Sequence, residues 1–325
     1  MLFAGRTFPA ASDALRGTLL QTTVEVIDLD DGGDDRWSAQ VLVPLMTPVD
    51  GVAMDRVEGL RLVQQWGAGL EGVDVAAATE RGIAVGNVAS TTSGSAESVA
   101  EWCVMAALVL SRRLGELQDA ISTGAGWGAP IGQALLGRTA GIVGLGGIGQ
   151  ALATRLKPFG MRLIAVTRRP QSRTASDLGL DWLGGLGDLR TLLRDSDYVF
   201  LCLPLTAETE HMIDAPALTM AKPTAYVVNA GRGGLVDEDA LLGALDDRRL
   251  GGAALDVFAR EPLDPASPLL SHPHILATPH IAGVTDTSYQ ATAQRLADVI
   301  QRLNARAPLD HCVNWNDLSS RFYST

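Results

Sequence analysis

Arg232 in VVNAGRGGLVDEDAL, Glu261 in LDVFAREPL and His280 in ILATPHIAG are three residues whose types could carry out one reaction together. An arginine guanidinium holds a carboxylate or an α-keto acid through parallel hydrogen bonds, and an imidazole backed by a carboxylate can pass a proton to a carbonyl oxygen. Singly each has an ordinary explanation, as a loop arginine, an exposed charge before proline and a structural histidine. Their settings argue for more. Each follows an apolar, strand-like run, AYVVN, GAALDVF or ILAT, and open parallel sheets bind ligands beyond the carboxyl ends of their strands. The three residues therefore point to one crevice.

The elements that must position them run the length of the chain. TTVEVIDL, AQVLVPLM, LRLVQQW and GIAVGN are short apolar runs separated by helix-length segments, the pattern of parallel strands with crossover helices. SGSAESVAEWCVMAALVLSRRLGELQDAI then has helical periodicity over residues 93–121, with capping-box spacing between Ser98 and Glu101 near its start. A second series follows: TAGIVGL, RLIAVT, YVFLCL, AYVVN, GAALDV and ILAT, six runs that suggest a doubly wound sheet. TDTSYQATAQRLADVIQRLNAR reads as an amphipathic helix that could return to pack on the first unit, and the tail after it is too short for another domain. The expected fold class is α/β, with a doubly wound parallel-sheet domain over 97–284 inserted into a smaller domain formed by 1–96 and 285–325.

GLGGIG, with Gly144, Gly146 and Gly149, follows the first strand of that second series and opens a helix-patterned QALATRLKPFG. In that context the first two glycines allow a tight turn and close backbone approach to a pyrophosphate, and the third lets helix pack on strand. The end of the next strand discriminates between dinucleotides. RLIAVTRRPQSR puts Thr167, Arg168 and Arg169 where an acidic residue would bind a ribose 2′-hydroxyl, with Arg173 close behind. A hydroxyl and guanidiniums suit a 2′-phosphate, which favours NADP over NAD. Arginine is abundant in this chain, and Lys157 and Lys222 are its only lysines, so NAD remains the alternative.

The chain has 325 residues, 46% of them hydrophobic and 19% charged, enough for about two domains with their own cores. A formal charge of -11 argues against a nucleic-acid partner. Cys103, Cys202 and Cys312 lie far apart, which predicts neither a disulfide framework nor a zinc site. No signal peptide or spanning segment is legible, and the expected location is cytoplasmic.

Together the motifs, their order and their spacing resemble the D-isomer-specific 2-hydroxyacid dehydrogenase family, which includes glyoxylate, hydroxypyruvate and phosphoglycerate dehydrogenases. The resemblance runs from about residue 55 to Asn314 through QWGAGLEGVD, AESVAEW, TAGIVGLGGIGQALATRLKPFG, FLCLPLTAET, VVNAGRGGLVDEDAL, ALDVFAREPL and TPHIAG. It implies two Rossmann-like domains, the smaller flavodoxin-like and substrate-binding, with a cleft that closes around ligand. It also implies that Arg232 holds the substrate, that His280 is the acid and base, and that Glu261 pairs with it. Backbone amides around Ala68 and Gly69 would bind the substrate carboxylate. Gly147 and Ile148 would meet the pyrophosphate, Thr209 and Ala230 would line the cofactor, Asp256 would take the nicotinamide carboxamide, and Gly283 would lie near the same ring. The family's long helix forms a homodimer interface, to which Trp102, Met105 and Leu108 could contribute here.

Two places depart from the family pattern. Ser93 and Ser95 in SGS stand where TGN or GNS is expected, and Trp66 is bulky beside the Gly67 to Gly69 turn, either as a cleft wall or as core. The leading expectation is a reductase of a short 2-keto acid of the glyoxylate or hydroxypyruvate class. The alternatives are a dinucleotide-sensing corepressor-like protein, for which a complete Arg, Glu and His set is not required, and a dehydrogenase of another small anion such as phosphoglycerate, formate or phosphite.

Overall fold

The computed structural model describes all residues except 6–7, 30–34, 125–126, 310, 319–321 and 324–325. Part of the 122–137 loop and of the carboxy-terminal tail thus lies outside the described residues. The chain divides into two units, one formed by Met1–Gly94 with Thr285–Thr325 and the other by Ser95–Val284. The first junction falls at the start of a helix, at 94/95 rather than 96/97.

The first unit holds strands β1 (Leu2–Ala4), β2 (Glu25–Ile27), β3 (Trp37–Ser38), β4 (Val41–Pro44), β5 (Val57–Glu58), β6 (Leu62–Gln64) and β7 (Ala84–Gly86). Five form a parallel sheet in the order β2-β1-β4-β6-β7, a flavodoxin-like order, while β3 and β5 pair separately. β1, β3 and β5 have no counterpart among the strand-like runs legible in the sequence. Their runs of two or three residues are too short to display a period. One face of the main sheet is covered by helix Pro9–Thr18 and by helix Asp286–Asn304, whose Leu296, Val299, Ile300 and Leu303 join Phe3, Leu15 and Val43 in one apolar cluster. Trp66 belongs to the same cluster. It is 5% exposed and packs edge-on against Phe3 and Tyr289, which settles it as core.

The second unit holds β8 (Thr139–Val143), β9 (Arg162–Thr167), β10 (Trp182–Gly185), β11 (Tyr198–Leu201), β12 (Tyr226–Asn229), β13 (Gly252–Leu255) and β14 (Ile275–Ala277). They form one parallel sheet ordered β10-β9-β8-β11-β12-β13-β14, the dinucleotide-binding order 3-2-1-4-5-6 with one strand added. The sheet has seven strands rather than six. The strand without a counterpart among the six runs is β10, an edge strand and third in chain order, written WLGG, whose glycines carry little β signal. Apolar clusters fill both faces of the sheet, as buried parallel strands require.

The 93–121 segment is not one helix. A helix spans Ser95–Ser111, Arg113 adopts φ +53°, and a second helix spans Leu114–Thr123. Ser98 therefore lies inside the first helix, buried, and is not its cap, while Glu101 pairs with Arg155 at 2.9 Å. Trp102 is buried in the core of the unit, whereas Met105 and Leu108 are exposed. All three cysteines are buried thiols outside any disulfide, and among the described residues no helix is long and apolar enough to cross a membrane.

Candidate active site

The carboxyl ends of β12, β13 and β14 are adjacent, with Asn229 beside Leu255 and Leu255 beside Ala277. Arg232 lies three residues past β12, Asp256 one past β13 and His280 three past β14, so strand register brings these three loops together. Glu261 lies in the turn that follows Asp256. Of the three residues singled out in the sequence, the structure joins two directly: Nδ1 of His280 donates to Oε2 of Glu261 at 2.7 Å. Because an ionised carboxylate only accepts, Nδ1 carries the proton of that bond and Nε2 is left to exchange one with a ligand.

Glu261 is held on its other side as well, its Oε1 accepting from the Phe258 N–H at 2.8 Å. Burial would raise its pKa. The hydrogen bond and charge of His280, the Phe258 N–H and the charge of Arg232 outweigh burial and keep the carboxyl below the usual range. Glu261 is thus an anion across the neutral range. The turn is packed so tightly that a Cβ on Gly233, next to Arg232, would lie 1.8 Å from the Phe258 carbonyl carbon. Only glycine lets the arginine loop approach the Phe258–Glu261 turn.

Two fully enclosed polar groups set these loops. Asn229, with no exposed surface, donates from Nδ2 to the Arg232 carbonyl at 2.9 Å and accepts at Oδ1 from the Gly231 N–H at 3.1 Å. Nη1 of Arg232 donates to the Gly231 carbonyl at 2.7 Å. Asp256, 1% exposed, accepts from the Thr278 hydroxyl at 2.6 Å and from the Ile281 and Ala282 N–H groups at 2.8 Å each. Burial raises the Asp256 pKa above its ordinary value, against the pull of those donors and of His280. Asn229 and Thr278 are not marked as site residues by any motif in the sequence. An asparagine closing the apolar run AYVVN was the available signal, since a buried amide at a strand end needs partners.

At the other end of the site, β8 turns into helix Gly147–Leu156 through GLGGIG. Gly144 adopts φ +101°, and a Cβ on Gly149 would sit 2.0 Å from the Gly144 carbonyl oxygen, so no side chain fits there. Gly146 is exposed with open space at its Cβ position, and no side chain caps the helix. The first helical N–H groups, at Gly147 and Ile148, are thereby available to an anion, and the cradle fits a dinucleotide pyrophosphate. Arg168 and Arg169 are exposed just past Thr167 at the end of β9, while Arg173, 92% exposed, reaches Asp177 at 3.8 Å. Thr209 is buried and ties its own loop, its hydroxyl donating to the Pro204 carbonyl at 2.9 Å. Ala230 is buried directly after β12. Gly283 lies where a Cβ would be 3.0 Å from the Ser95 hydroxyl. In the first unit Ala68 is exposed in the turn after β6, its carbonyl accepting from the Asn87 amide at 2.6 Å, Gly69 is half-buried beside it, and Ser93 is buried.

The family model for the NAD-binding domain of D-isomer specific 2-hydroxyacid dehydrogenases matches residues 104–282. The chain belongs to this family. It is 37% identical over 275 residues to glyoxylate/hydroxypyruvate reductase B of Yersinia enterocolitica, covering 82% of this chain and 81% of that one. It is 38% identical over 270 residues to the (S)-sulfolactate dehydrogenase of Chromohalobacter salexigens, covering 82% and 85%. Among solved structures, the apo D-lactate dehydrogenase of Escherichia coli superposes with a TM-score of 0.82 at 25% identity over 96% of this chain and 98% of that one. The protein is an oxidoreductase of the NAD(P)-dependent 2-hydroxyacid dehydrogenase class, and its cofactor is a nicotinamide dinucleotide.

Proposed function

We propose that the protein reduces a short 2-keto acid of the glyoxylate or hydroxypyruvate class to the D-2-hydroxy acid, using NADPH in preference to NADH. The observation that carries this reading is the 2.7 Å His280–Glu261 pair held at the strand ends beside Arg232. When bound, the dinucleotide supplies the reducing equivalent to the α-carbon. His280 delivers a proton from Nε2 to the substrate oxygen, while the Glu261 anion stabilises the imidazolium and fixes its orientation. Arg232 binds the keto acid and stabilises charge developing on that oxygen. The amides at Ala68 and Gly69 are proposed as further carboxylate-binding groups. Gly144, Gly146, Gly147, Ile148, Gly149, Thr209, Ala230, Asp256 and Gly283 are proposed to contact the cofactor, with Thr167, Arg168 and Arg169 at the 2′-phosphate.

Relatives named for glyoxylate or hydroxypyruvate and a relative named for sulfolactate match at similar identity, so substrate class is the part to test first. A panel of 2-keto acids that includes glyoxylate, hydroxypyruvate and the keto form of sulfolactate, assayed with NADPH and with NADH, separates these readings. The highest kcat/KM is expected for glyoxylate or hydroxypyruvate with NADPH. A preference for the sulfonated acid would overturn the substrate assignment. In His280→Ala, turnover should fall by about 100-fold or more with cofactor affinity nearly unchanged. Full activity in that variant would remove His280 from proton transfer, whereas a wild-type protein that turns over no acid of the panel would favour the corepressor-like reading, which the complete trio otherwise disfavours. The protein is proposed to be cytoplasmic and to act as a homodimer.

A further inference from the structure

We propose that Thr278 is a positioning residue: its hydrogen bond to buried Asp256 holds His280 in the backbone conformation that aims the imidazole at both Glu261 and substrate. His280 adopts φ +53°, in the left-handed region that residues with a side chain enter only when surroundings impose it. Histidine enters that region more readily than most residues with a Cβ, yet it is still disfavoured there, and the preceding proline fixes only its own φ. The constraint comes from β13. The His280 N–H donates to the Asp256 carbonyl at 2.8 Å and to the Thr278 carbonyl at 3.0 Å. The Asp256 carboxylate then takes the donors on both sides of His280: Thr278 Oγ1 before it, and the Ile281 and Ala282 N–H groups after it.

The two sides are unequal in what sequence can change. The Ile281 and Ala282 donors are backbone groups and survive any substitution at their own positions except proline. The Thr278 hydroxyl is the only side chain among the three donors, and its 2.6 Å bond is the shortest of them. It is a hydrogen bond to a carboxylate that is 1% exposed, the kind of contact that water does not replace. The Thr278 N–H also continues the sheet, donating to the Leu255 carbonyl at 2.9 Å. Thr278 therefore joins the rigid end of β14 to the strained turn. Without its hydroxyl the loop pivots on the two amides that follow His280, and Nδ1 loses the fixed geometry of its bond to Glu261.

The inference rests on the proposed role of His280 as proton donor, so one readout avoids turnover. The variants are Thr278→Val, nearly isosteric but without the hydroxyl, and Thr278→Ser, which restores it. In the resting full-length protein with NADPH bound, the His280 Nδ1 proton is followed by nitrogen-resolved NMR, assigned by its absence in His280→Gln. A strong hydrogen-bonded signal is expected in wild type and in Thr278→Ser, and a weakened or shifted one in Thr278→Val. In assays, kcat should fall about 10- to 100-fold in Thr278→Val, the magnitude expected of a misplaced catalytic group, with the NADPH dissociation constant within about twofold of wild type. Thr278→Ser should recover most of kcat. An unchanged His280 signal in Thr278→Val overturns the proposal, whatever the assay gives. So does a loss of cofactor binding and of kcat together that Thr278→Ser fails to restore, which marks a merely structural residue. A changed signal without any change in turnover on any 2-keto acid would instead fault the assignment of His280 as proton donor.

Discussion

At the scale of single residues, the site depends on two carboxylates whose environments push them in opposite directions. Glu261 is held below its ordinary range and Asp256 above it, although both are enclosed. The difference lies in partners: Glu261 faces the His280 imidazole and the Arg232 guanidinium, while Asp256 is met chiefly by a hydroxyl and two amides in a drier place. The consequence for stability follows from linkage. A depressed folded-state pKa means that Glu261 stabilises the fold above the ordinary carboxylate range of about 4.5, and that this contribution is lost as pH falls through the lower folded value. Asp256, with a raised folded value, acts with the reverse sign and partly masks that loss. Urea midpoints measured at pH 7, 5 and 4 should therefore fall less steeply on acidification in Glu261→Gln than in wild type. Parallel curves for the two proteins would show that Glu261 gains nothing from its partners. Arg232, Glu261 and His280 were legible in the sequence because charged groups after apolar runs stand out. Asn229 and Thr278 were not, because their work depends on what neighbouring strands place within about 3 Å of them, and a single run does not contain that information.

At the scale of elements, the proposed cofactor and catalytic groups both lie at strand ends. β8 ends in the glycine turn and β9 ends in Thr167, Arg168 and Arg169, and these strands are neighbours in register from Thr139 beside Arg162 to Val143 beside Val166. That register puts the β9 end next to the turn proposed to hold the pyrophosphate. Arg168 and Arg169 make no hydrogen bond or ion pair among the described residues, so their guanidiniums are uncommitted. Replacing Thr167→Asp and Arg168→Ala together would offer a carboxylate to a 2′-hydroxyl and repel a 2′-phosphate. The NADPH to NADH ratio of kcat/KM should drop by about tenfold or more, each good charge-assisted contact being worth about 1.5–3 kcal/mol. An unchanged ratio would mean that the β9 end does not select the dinucleotide. Elements with four or more apolar residues inside a longer alternating or helical pattern are legible in the sequence, whereas the three-residue β1 at the chain start is not. The pattern also fails at β10, whose glycines dilute the signal, and at Arg113, where periodicity runs on across a left-handed break because Leu114 and Leu117 resume the apolar spacing.

At the scale of the whole molecule, the unexplained feature is how much apolar surface the segment from Met105 to Leu136 leaves in water. Met105 is 42% exposed, Ile121 75%, Trp127 99% and Ile131 87%, all within the second unit. Scattered apolar residues need no account, but a run of large ones on a helix, the next helix and the loop after it is the pattern of a surface that is covered in the working protein. The break at Arg113 matters here. It swings Leu114–Thr123 away from the path of Ser95–Ser111, and no residue of Leu114–Thr123 is buried within the chain. An amphipathic helix with no buried side chain gains little from its own fold, and the proposed homodimer would supply the missing contacts through a self-complementary two-fold interface. Sedimentation should accordingly give about twice the 34.2 kDa of one chain at micromolar concentration. Met105→Glu combined with Leu108→Glu should shift the protein toward one chain with its helical circular dichroism retained, because both side chains are exposed and neither supports the core. A wild-type protein that sediments as a single chain would refute the homodimer and leave the Leu114–Thr123 helix resting on its short-range ion pair between Arg113 and Glu116, an exposed contact worth at most about 1 kcal/mol.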